Sequence, residues 1–332
     1  MALKIEIIKE YLEKYSEMPS LTMAKLIYKE NKEVFNSIEN IRYKIRNLRG
    51  AAGKERLNSL KDRRFVRDLK EPYNPLKLPD SDEKEFDPFI IPKQYKKTLI
   101  FGDTHVPYHS VSSMNRMLEY AKDQKIDSII MNGDNLDFHQ LSVFLKDPRK
   151  RHFIQELESA RQMLDAIQTY MPNVKIFYKI GNHEERYENY LKLKAPELIG
   201  MQEFEIDTLL NFGERFIDVI KDKRTIKLGK LNVLHGHELK GGIIPPVNAA
   251  RGVFLRTKEN TLVNHFHTDS KHSEPSLSGD HISCWSIGCM CELHPEYAVN
   301  NRWVHGFAIV EVINDKGNFI VNTKQIIKDK IV

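Results

Sequence analysis

The feature that most constrains the fold of this chain is a sequence pattern that occurs five times. In each copy a short, apolar, β-prone run ends in Asp, Asn or His. The five copies cover 98–105, 128–137, 176–184, 232–237 and 261–267. A single ending of this kind is ordinary turn chemistry. Five of them indicate one common site, because ligands bind at the carboxyl edge of the strands in α/β sheets.

Strands and helices alternate from Tyr95 onward. The pattern predicts strands near 97–102, 127–132, 174–180, 231–235 and 261–264, with helices near 112–124 and 152–171. Three further strands are predicted near 282–287, 306–313 and 318–327. An α/β domain that ends in several successive strands favours stacked sheets with helices outside them.

Residues 1–70 differ from the rest of the chain in both pattern and charge. They predict three short helices, near 4–15, near 23–31 and from Ser37 to Gly50. They hold 17 Lys or Arg against 10 Asp or Glu, a net charge of +7 in a chain whose total is +5. Three short helices with a basic third one resemble a helix-turn-helix module, whose second motif helix reads the major groove. A small solvated helical bundle is the alternative.

The basic excess predicts a polyanion as the partner of this segment. We expect DNA, or RNA, to be bound by Arg42, Arg46, Arg49, Arg63 and Arg64. Prolines and acidic residues then alternate over 71–94, which neither a helix nor a central strand tolerates. The predicted organisation is therefore a helical module over 1–70, a linker or strap over 71–94 and an α/β domain over 95–332.

Apolar runs and cysteines bear on the location of the protein. We see no apolar run long enough to cross a membrane and no signal peptide, so we expect a cytoplasmic protein without membrane contact. Three cysteines fit a reducing compartment. Cys284, Cys289 and Cys291 could form a zinc site with His294, but the Cys-x-Cys spacing is wrong for a common zinc knuckle. Buried thiols are the prediction.

The five strand ends supply a set of metal-binding side chains. These are Asp103, His105, Asp134, Asn182, His235, His265 and His267. Mixed oxygen and nitrogen ligands suit Mn, Fe, Zn, Co or Ni better than Ca or Mg alone. The set is too large for one ion but suits two ions that share a carboxylate. We expect two divalent ions, with Mn²⁺ first and Fe, Zn, Ni, Co or Mg as alternatives.

Five short motifs carry a resemblance to a known family. They are Asp103-Thr-His105, Gly133-Asp-Asn-Leu-Asp137, Gly181-Asn-His-Glu184, His235-Gly-His237 and His265-Phe-His267. The set resembles the calcineurin-like metallophosphoesterases over about residues 97–310. One position departs from the family, since Asn264 stands where Gly is usual. We expect ligation to survive with a slightly altered backbone turn.

The resemblance implies an αββα sandwich built around a dinuclear centre. It assigns one ion to Asp103, His105, Asp134 and His267, and the other to Asp134, Asn182, His235 and His265. With its helical N-terminal segment, the chain is also similar to family members encoded by phages and mobile elements.

The implied reaction is hydrolysis of a phosphate ester. Two cations neutralise the phosphate oxygens and lower the pKa of a water, so that hydroxide attacks phosphorus in line. His183 is the candidate acid for the leaving group, and Asp137 is expected to orient and charge its imidazole. Arg186 is expected either to steady the phosphate or to be a solvated helix residue.

The basic N-terminal segment favours a nucleic-acid-directed phosphodiesterase or nuclease. One alternative is a hydrolase of a small nucleotide or another phosphate ester, whose helical module only localises it. Another is a DNA-binding regulator with an inactive phosphoesterase scaffold. The intact motifs argue against that regulator, because an inactive scaffold would be free to lose His183 or Asn182.

Overall fold

The structure, a computed structural model, describes residues 2–15, 18–50, 65, 87–143, 152–239, 248–295 and 298–332. The chain divides into two compact units, Met1–Glu85 and Phe86–Val332. The boundary between them falls within the predicted linker segment. Among the helices in the described ranges, none is long and apolar enough to cross a membrane.

The first unit contains the three predicted helices. They are α1 (Ala2–Lys14), α2 (Ser20–Glu30) and α3 (Ile38–Leu48). Ser37 caps α3, because its hydroxyl accepts a hydrogen bond from the backbone N–H of Asn40. Gly50 follows the helix with a φ of 72°, a conformation that glycine adopts readily at a helix end. The fully buried side chains at helical spacing include Ile8, Ile27, Ile41 and Ile45.

The connection between α2 and α3 differs from that of a standard helix-turn-helix motif. It covers 31–37, which is longer than the roughly three- to four-residue turn of that motif. Phe35 within it is only 3% exposed, so the connection itself contributes to the core of the unit. Three helices are therefore present, and the helix-turn-helix assignment stays a prediction.

Arg49, one of the predicted nucleic-acid contacts, packs inside the first unit. Its side chain is 5% exposed, and Nη1 donates a hydrogen bond to Ser20 Oγ at 3.0 Å. The guanidinium therefore joins the end of α3 to the start of α2. Arg46 is exposed, and Arg42 forms an ion pair with Glu39 at 3.2 Å on the surface of α3. Arg63 and Arg64 lie outside the described residues.

The second unit is built on two β-sheets. Its strands are β1 (Phe89–Ile90), β2 (Lys97–Phe101), β3 (Ser128–Asn132), β4 (Lys175–Lys179), β5 (Asp218–Ile220), β6 (Ile226–Leu228), β7 (Leu231–Leu234), β8 (Thr261–Val263), β9 (Ser270–Pro275), β10 (His281–Ser286), β11 (His305–Val312), β12 (Phe319–Ile327) and β13 (Lys330–Ile331). The seven-stranded sheet has the order β13-β12-β11-β2-β3-β4-β5, and the six-stranded sheet has the order β1-β6-β7-β8-β10-β9. The eight predicted strands are confirmed.

Helices cover the outer faces of these sheets. They are α4 (Val111–Asp123), α5 (Phe153–Tyr170), α6 (Glu185–Lys194), α7 (Ile206–Leu209) and α8 (Ala249–Thr257). Short 3₁₀ turns lie at His139–Leu141, Pro196–Leu198 and Gln202–Phe204. The helices predicted near 112–124 and 152–171 correspond to α4 and α5.

Successive side chains of the central strands enter two different cores, because strand residues alternate in direction. In β2, Leu99 and Phe101 share a core with α4, α5 and α6, whereas Ile100 packs between the sheets. A third core joins α8 to the outer face of the six-stranded sheet. The layers therefore run helix, sheet, sheet, helix, which confirms the predicted αββα sandwich.

Part of the predicted linker belongs to this sandwich. Residues 71–86 lie outside the described residues, but β1 pairs in parallel with β6 at one edge of the six-stranded sheet. Phe89 and Ile91 are buried there. The end of the segment therefore forms a strap along the sheet edge, because Phe89 and Ile91 pack there.

Candidate metal centre

Strand direction brings the five sequence motifs together. β2, β3 and β4 are parallel neighbours in one sheet, and β7 and β8 are parallel neighbours in the other. Their carboxyl ends carry the residues predicted to bind metal, so these side chains meet where the edges of the two sheets approach each other. The role of these residues as metal ligands stays a prediction.

The first predicted group is held between the two sheets. Asp103 Oδ1 lies 3.3 Å from His267 Nε2, and His267 Nε2 lies 3.4 Å from His105 Nε2. Potential ligand atoms of Asp103, His105 and Asp134 lie within 4.8 Å of one another. All four side chains are buried.

The second predicted group shares Asp134 with the first. Asp134 Oδ2 lies 3.3 Å from His235 Nε2, and Asn182 Oδ1 lies 3.2 Å from the same nitrogen. Potential ligand atoms of Asp134, His235 and His265 also lie within 4.8 Å of one another. Two ions that share a ligand require a carboxylate that belongs to both groups, and Asp134 meets this requirement.

The chemical groups in this cluster are suited to binding cations. Among the described residues, none donates a well-formed hydrogen bond to the fully buried Asp103 Oδ1, which has imidazole nitrogens of His267 and His235 at 3.3 and 3.9 Å. A divalent ion between these groups would satisfy the buried carboxylate oxygen. The mixture of carboxylate, amide and imidazole groups suits two transition-metal ions.

Backbone hydrogen bonds set which imidazole nitrogen faces the cluster. Nδ1 of His235 lies 2.7 Å from the backbone carbonyl oxygen of Asn132. A carbonyl oxygen only accepts, so Nδ1 carries the proton and Nε2 is left facing Asp134. Fixing the tautomer of a ligand histidine in this way is typical of metal sites.

Charge within the cluster also points to cations. Burial lowers the pKa of His235, but Asp134 and Asp103 outweigh it and raise the pKa to about 10. Asp103 likewise raises the pKa of His267 to about 10 against the effect of burial. The buried carboxylates therefore make this cluster an environment that favours positive charge. Metal ions and protons should compete for the site.

Most of the predicted ligands occupy a strained backbone conformation. Positive φ angles occur at Asp103 (51°), His105 (44°), Asp134 (50°), His265 (63°) and His267 (56°). This region is unfavourable for residues with a Cβ atom. Such strain persists only where the surrounding structure enforces it, and it concentrates at functional sites.

Glu184 is a supporting residue to which the sequence assigned no role. Its buried carboxylate accepts hydrogen bonds from the backbone N–H groups of Asn135 and Leu136 at 2.7 and 3.2 Å. It also accepts from the backbone N–H groups of Asp134 and Gly181 at 3.0 and 2.9 Å. Glu184 therefore locks the loop after β3 against the loop after β4. Its position inside the third motif was the signal that could have indicated this role.

Two glycines make room for this close packing. Gly181 is buried, and an added Cβ would overlap with the backbone nitrogen and Oδ1 of Asp134. Gly133 has a φ of 86°, and an added Cβ would lie 2.7 Å from Nδ1 of His235. Glycine is therefore required at both positions for the shared carboxylate and its neighbouring imidazole to approach.

The predicted acid, His183, lies beside the cluster and is held by Asp137. Its Nδ1 lies 2.8 Å from the backbone carbonyl oxygen of Asp137 and 3.3 Å from the carboxylate Oδ1. Its Nε2 lies 3.7 Å from Asp134 Oδ2. Burial lowers the pKa of His183, but Asp134 and Asp137 outweigh that effect and raise it.

Arg186 is anchored within this arrangement. Its Nη1 donates to the backbone carbonyl of Asp137 at 2.8 Å, and its Nη2 lies 2.9 Å from Nε2 of His183. The side chain is therefore more than a solvated residue on α6. It places a permanent positive charge next to the predicted acid.

Asn264, the departure from the family pattern, joins the two sheets. Its Oδ1 accepts a hydrogen bond from Nδ2 of Asn132 at 2.8 Å, and Nδ2 of Asn132 also donates to the Leu234 carbonyl at 2.7 Å. The turn that follows is tight, since the N–H of Phe266 donates to the Asn264 carbonyl at 2.6 Å. The Asn264 side chain is completely buried, so it takes a structural role that glycine could not fill.

The three cysteines lie within the second unit. All three are free and buried, which confirms the predicted thiols. Cys284 lies in the core beneath α8, whereas Cys291 Sγ lies 4.0 Å from Nδ1 of His267. Nδ1 of His294 contacts the Val299 carbonyl instead, at 3.0 Å.

The chain resembles known proteins in both sequence and structure. Its sequence matches the calcineurin-like phosphoesterase family over residues 96–286. The Gene 54 protein of Mycobacterium phage L5 is 24% identical over 233 residues, which are 65% of this chain and 89% of that protein.

Some solved structures resemble this chain, but at low sequence identity. Vacuolar protein sorting 29 from Cryptosporidium parvum is 14% identical, with 72% of this chain and 95% of that chain covered at a TM-score of 0.37. A dimetal phosphatase from Danio rerio is 11% identical, with 71% and 96% covered at a TM-score of 0.35.

The family match extends over more than half of the 332-residue chain. It includes all five motifs in full and thus every residue predicted to bind metal. Membership implies two divalent ions and hydrolysis of phosphate esters. This chain therefore belongs to the calcineurin-like phosphoesterase family.

Proposed function

We propose that the protein is a phosphodiesterase that acts on nucleic acid, most directly DNA, with two divalent ions of which Mn²⁺ is the first expectation. The observation that carries the choice of substrate is the outward face of α3. This helix belongs to the basic N-terminal segment, and the metal-binding motifs lie in the other unit.

The outward face of α3 has the chemistry of a nucleic-acid contact. Asn40, Tyr43 and Arg46 are exposed, and the Tyr43 side chain is 55% exposed. Lys44 and Asn47 are half-buried beside them. Asn, Lys and Arg side chains can donate hydrogen bonds to acceptor atoms on base edges and on phosphates. An exposed tyrosine among them adds a surface for stacking or a phosphate hydrogen bond.

The reaction we propose uses the side chains around the metal centre. Two divalent ions held by the predicted ligands would supply Lewis acidity, which neutralises phosphate charge and makes water a nucleophile near neutral pH. A guanidinium only donates, so Nε2 of His183 is the acceptor in its contact with Arg186. When that contact is released, His183 would take a proton from solvent at Nε2 and give it to the leaving oxygen, while Nδ1 stays bonded to Asp137. Arg186, next to Nε2 of His183, would exchange that contact for a phosphate oxygen.

The test measures DNA binding and diester hydrolysis by the full chain with Mn²⁺. Affinity for duplex DNA should fall steeply with salt, by roughly two orders of magnitude between about 50 and 200 mM if about four phosphates are contacted. The double variant Arg42→Glu and Arg46→Glu should lose most of this binding but still hydrolyse bis-p-nitrophenyl phosphate. Arg116→Glu, at a 51%-exposed arginine of α4, is the matched control and should bind normally.

Two outcomes would contradict the proposal. If the double variant binds DNA as well as the control does, α3 is not the docking surface. If the wild-type chain hydrolyses nitrophenyl esters but shows no salt-dependent binding to DNA or RNA, the substrate is a small nucleotide or another phosphate ester.

A further inference from the structure

A buried ion pair crosses between the two sheets beside the candidate metal centre. Nζ of Lys179, the last residue of β4, lies 3.0 Å from Oε1 of Glu238, which follows β7. The two side chains are 0% and 8% exposed. Lys179 also donates a hydrogen bond to the Arg224 backbone carbonyl. The pair therefore ties the strand that leads to Asn182 to the turn that carries His235.

The register of β4 directs Lys179 into the space between the sheets. Side chains alternate in direction along a strand, so Lys179 shares a face with Phe177, which packs in the core between the sheets. Lys179 is also the register partner of Asn132 in β3. Two neighbouring polar residues of one sheet therefore reach the other sheet together, since Asn132 bonds the Leu234 carbonyl.

Glu238 holds the backbone of the turn after β7. Its Oε1 accepts a hydrogen bond from the N–H of His235 at 3.1 Å, and its Oε2 accepts from the N–H of Gly236 at 2.6 Å. Gly236 has a φ of 131°, and an added Cβ there would lie 3.0 Å from Cβ of His265. Both carboxylate oxygens are thus used on a turn that packs closely against a second predicted metal ligand.

The energetics of a buried ion pair favour a role in geometry over a role in stability. The attraction between the charges is largely offset by the cost of removing them from water, so replacing both partners by uncharged side chains of similar size is often neutral. The hydrogen bonds from Glu238 to the turn, in contrast, determine where the His235 imidazole lies. Residues that orient metal ligands in this way typically change metal affinity by about 10- to 100-fold.

We propose that Glu238, held in place by Lys179, is a positioning residue for His235 and thereby sets the affinity of the ion that His235 would bind. His235 is assigned to only one of the two ions. Loss of the pair should therefore weaken that ion and leave the other nearly unchanged. This inference rests on the proposed pair of metal ions and not on the choice of substrate.

The test is Mn²⁺ binding by the full chain, measured by equilibrium dialysis with elemental analysis. The double variant Lys179→Met and Glu238→Gln removes both charges and leaves neither unpaired. We expect Kd for one Mn²⁺ to rise by about 10- to 100-fold. Two Mn²⁺ ions that share a carboxylate are magnetically coupled. At a Mn²⁺ concentration that fills the wild type, the double variant should instead give the electron paramagnetic resonance spectrum of an isolated ion.

The same strand offers a matched control. Lys175, at the other end of β4, forms a buried ion pair with Asp218 at 3.0 Å, and these side chains are 7% and 10% exposed. The double variant Lys175→Met and Asp218→Asn should bind both ions as the wild type does. A comparable loss of affinity in this control would overturn the proposal, because any buried ion pair of the sheet would then have the same effect.

A milder variant, Glu238→Asp, covers the case in which the double variant does not fold. It keeps the negative charge but shortens the side chain, so the carboxylate no longer reaches all of its partners. The same selective weakening of one ion is expected. Equal weakening of both ions, or of neither, would overturn the role of Glu238 while leaving the metal centre intact. A wild type that binds no Mn²⁺ would overturn both.

Discussion

The backbone carbonyl oxygen of Asp137 lies 2.8 Å from Nδ1 of His183. The Asp137 carboxylate is shared between two imidazoles, since Oδ1 lies 3.3 Å from Nδ1 of His183 and 3.3 Å from Nδ1 of His105. Burial raises the pKa of the Asp137 carboxyl, but its hydrogen bonds to His105 and His183 outweigh burial and lower it. Asp137 thus orients the predicted acid through its backbone and charges it through its side chain.

This division of roles predicts a mild effect for Asp137→Asn. The variant keeps the carbonyl contact to His183 but loses the negative charge. We expect kcat on a diester with a poor leaving group to fall by about 10- to 100-fold, as for other residues that support a reacting group. Steady-state kinetics beside His183→Ala would check it, and an equal loss in both variants would contradict the role of the carbonyl.

The acid role of His183 predicts a dependence on the leaving group. His183→Ala should keep its metal ions but lower the rate on alkyl diesters by about 10²- to 10⁴-fold. Nitrophenyl esters should suffer less, because nitrophenolate scarcely needs a proton. The comparison uses both ester types with one enzyme preparation, and the same loss on both would remove His183 from the acid role.

Close packing around Asp134 predicts that Gly181→Ala is severe. The new methyl group would overlap with the backbone nitrogen and carboxylate of Asp134. We expect lower metal content and a lower melting temperature, since overpacking typically costs about 1–3 kcal/mol. Gly213→Ala is the control, because an added Cβ there meets nothing within 4 Å. Calorimetry and elemental analysis showing the two variants alike would contradict the packing account.

Much of this site could be predicted because strand ends and ligand types are local features of sequence. Asp103, Asp134 and Asn182 each follow a buried apolar run, and parallel pairing brings such ends to one edge. The packing of Arg49 could not be predicted in this way. It depends on Ser20, which is distant in the sequence but lies beside the guanidinium.

Short elements escaped prediction for a related reason. β1 and β13 contain only two residues each, too few for an alternating pattern, and they exist because a neighbouring strand offers backbone partners. Glu184 accepts hydrogen bonds from backbone groups, and these have no signature in side-chain spacing. Tertiary contact, more than local propensity, determines such features.

Glu156 in α5 predicts a pH dependence of stability. Its buried carboxyl accepts a hydrogen bond from the Phe138 backbone N–H, and burial raises its pKa from 4.5 to about 8. Between these values the unfolded chain loses the proton and the folded chain keeps it, so stability falls as pH rises through this window. Glu156→Gln removes this loss.

The check is thermal unfolding of both proteins at about pH 5 and about pH 9. The melting temperature of Glu156→Gln relative to wild type should rise from the lower to the higher pH. The gain is a few kcal/mol at most, at about 1.4 kcal/mol per unit of pKa. A relative melting temperature that does not change with pH would contradict the raised pKa.

We expect one carboxylate, that of Asp134, to link two metal ions at the meeting edges of the sheets. The most direct test is elemental analysis of the Mn²⁺-loaded wild type, Asp134→Ala and a control, Asp123→Ala, at an exposed position of α4. We expect about two ions per chain in the wild type and the control, and loss of both in Asp134→Ala. Full metal occupancy in Asp134→Ala would contradict the account.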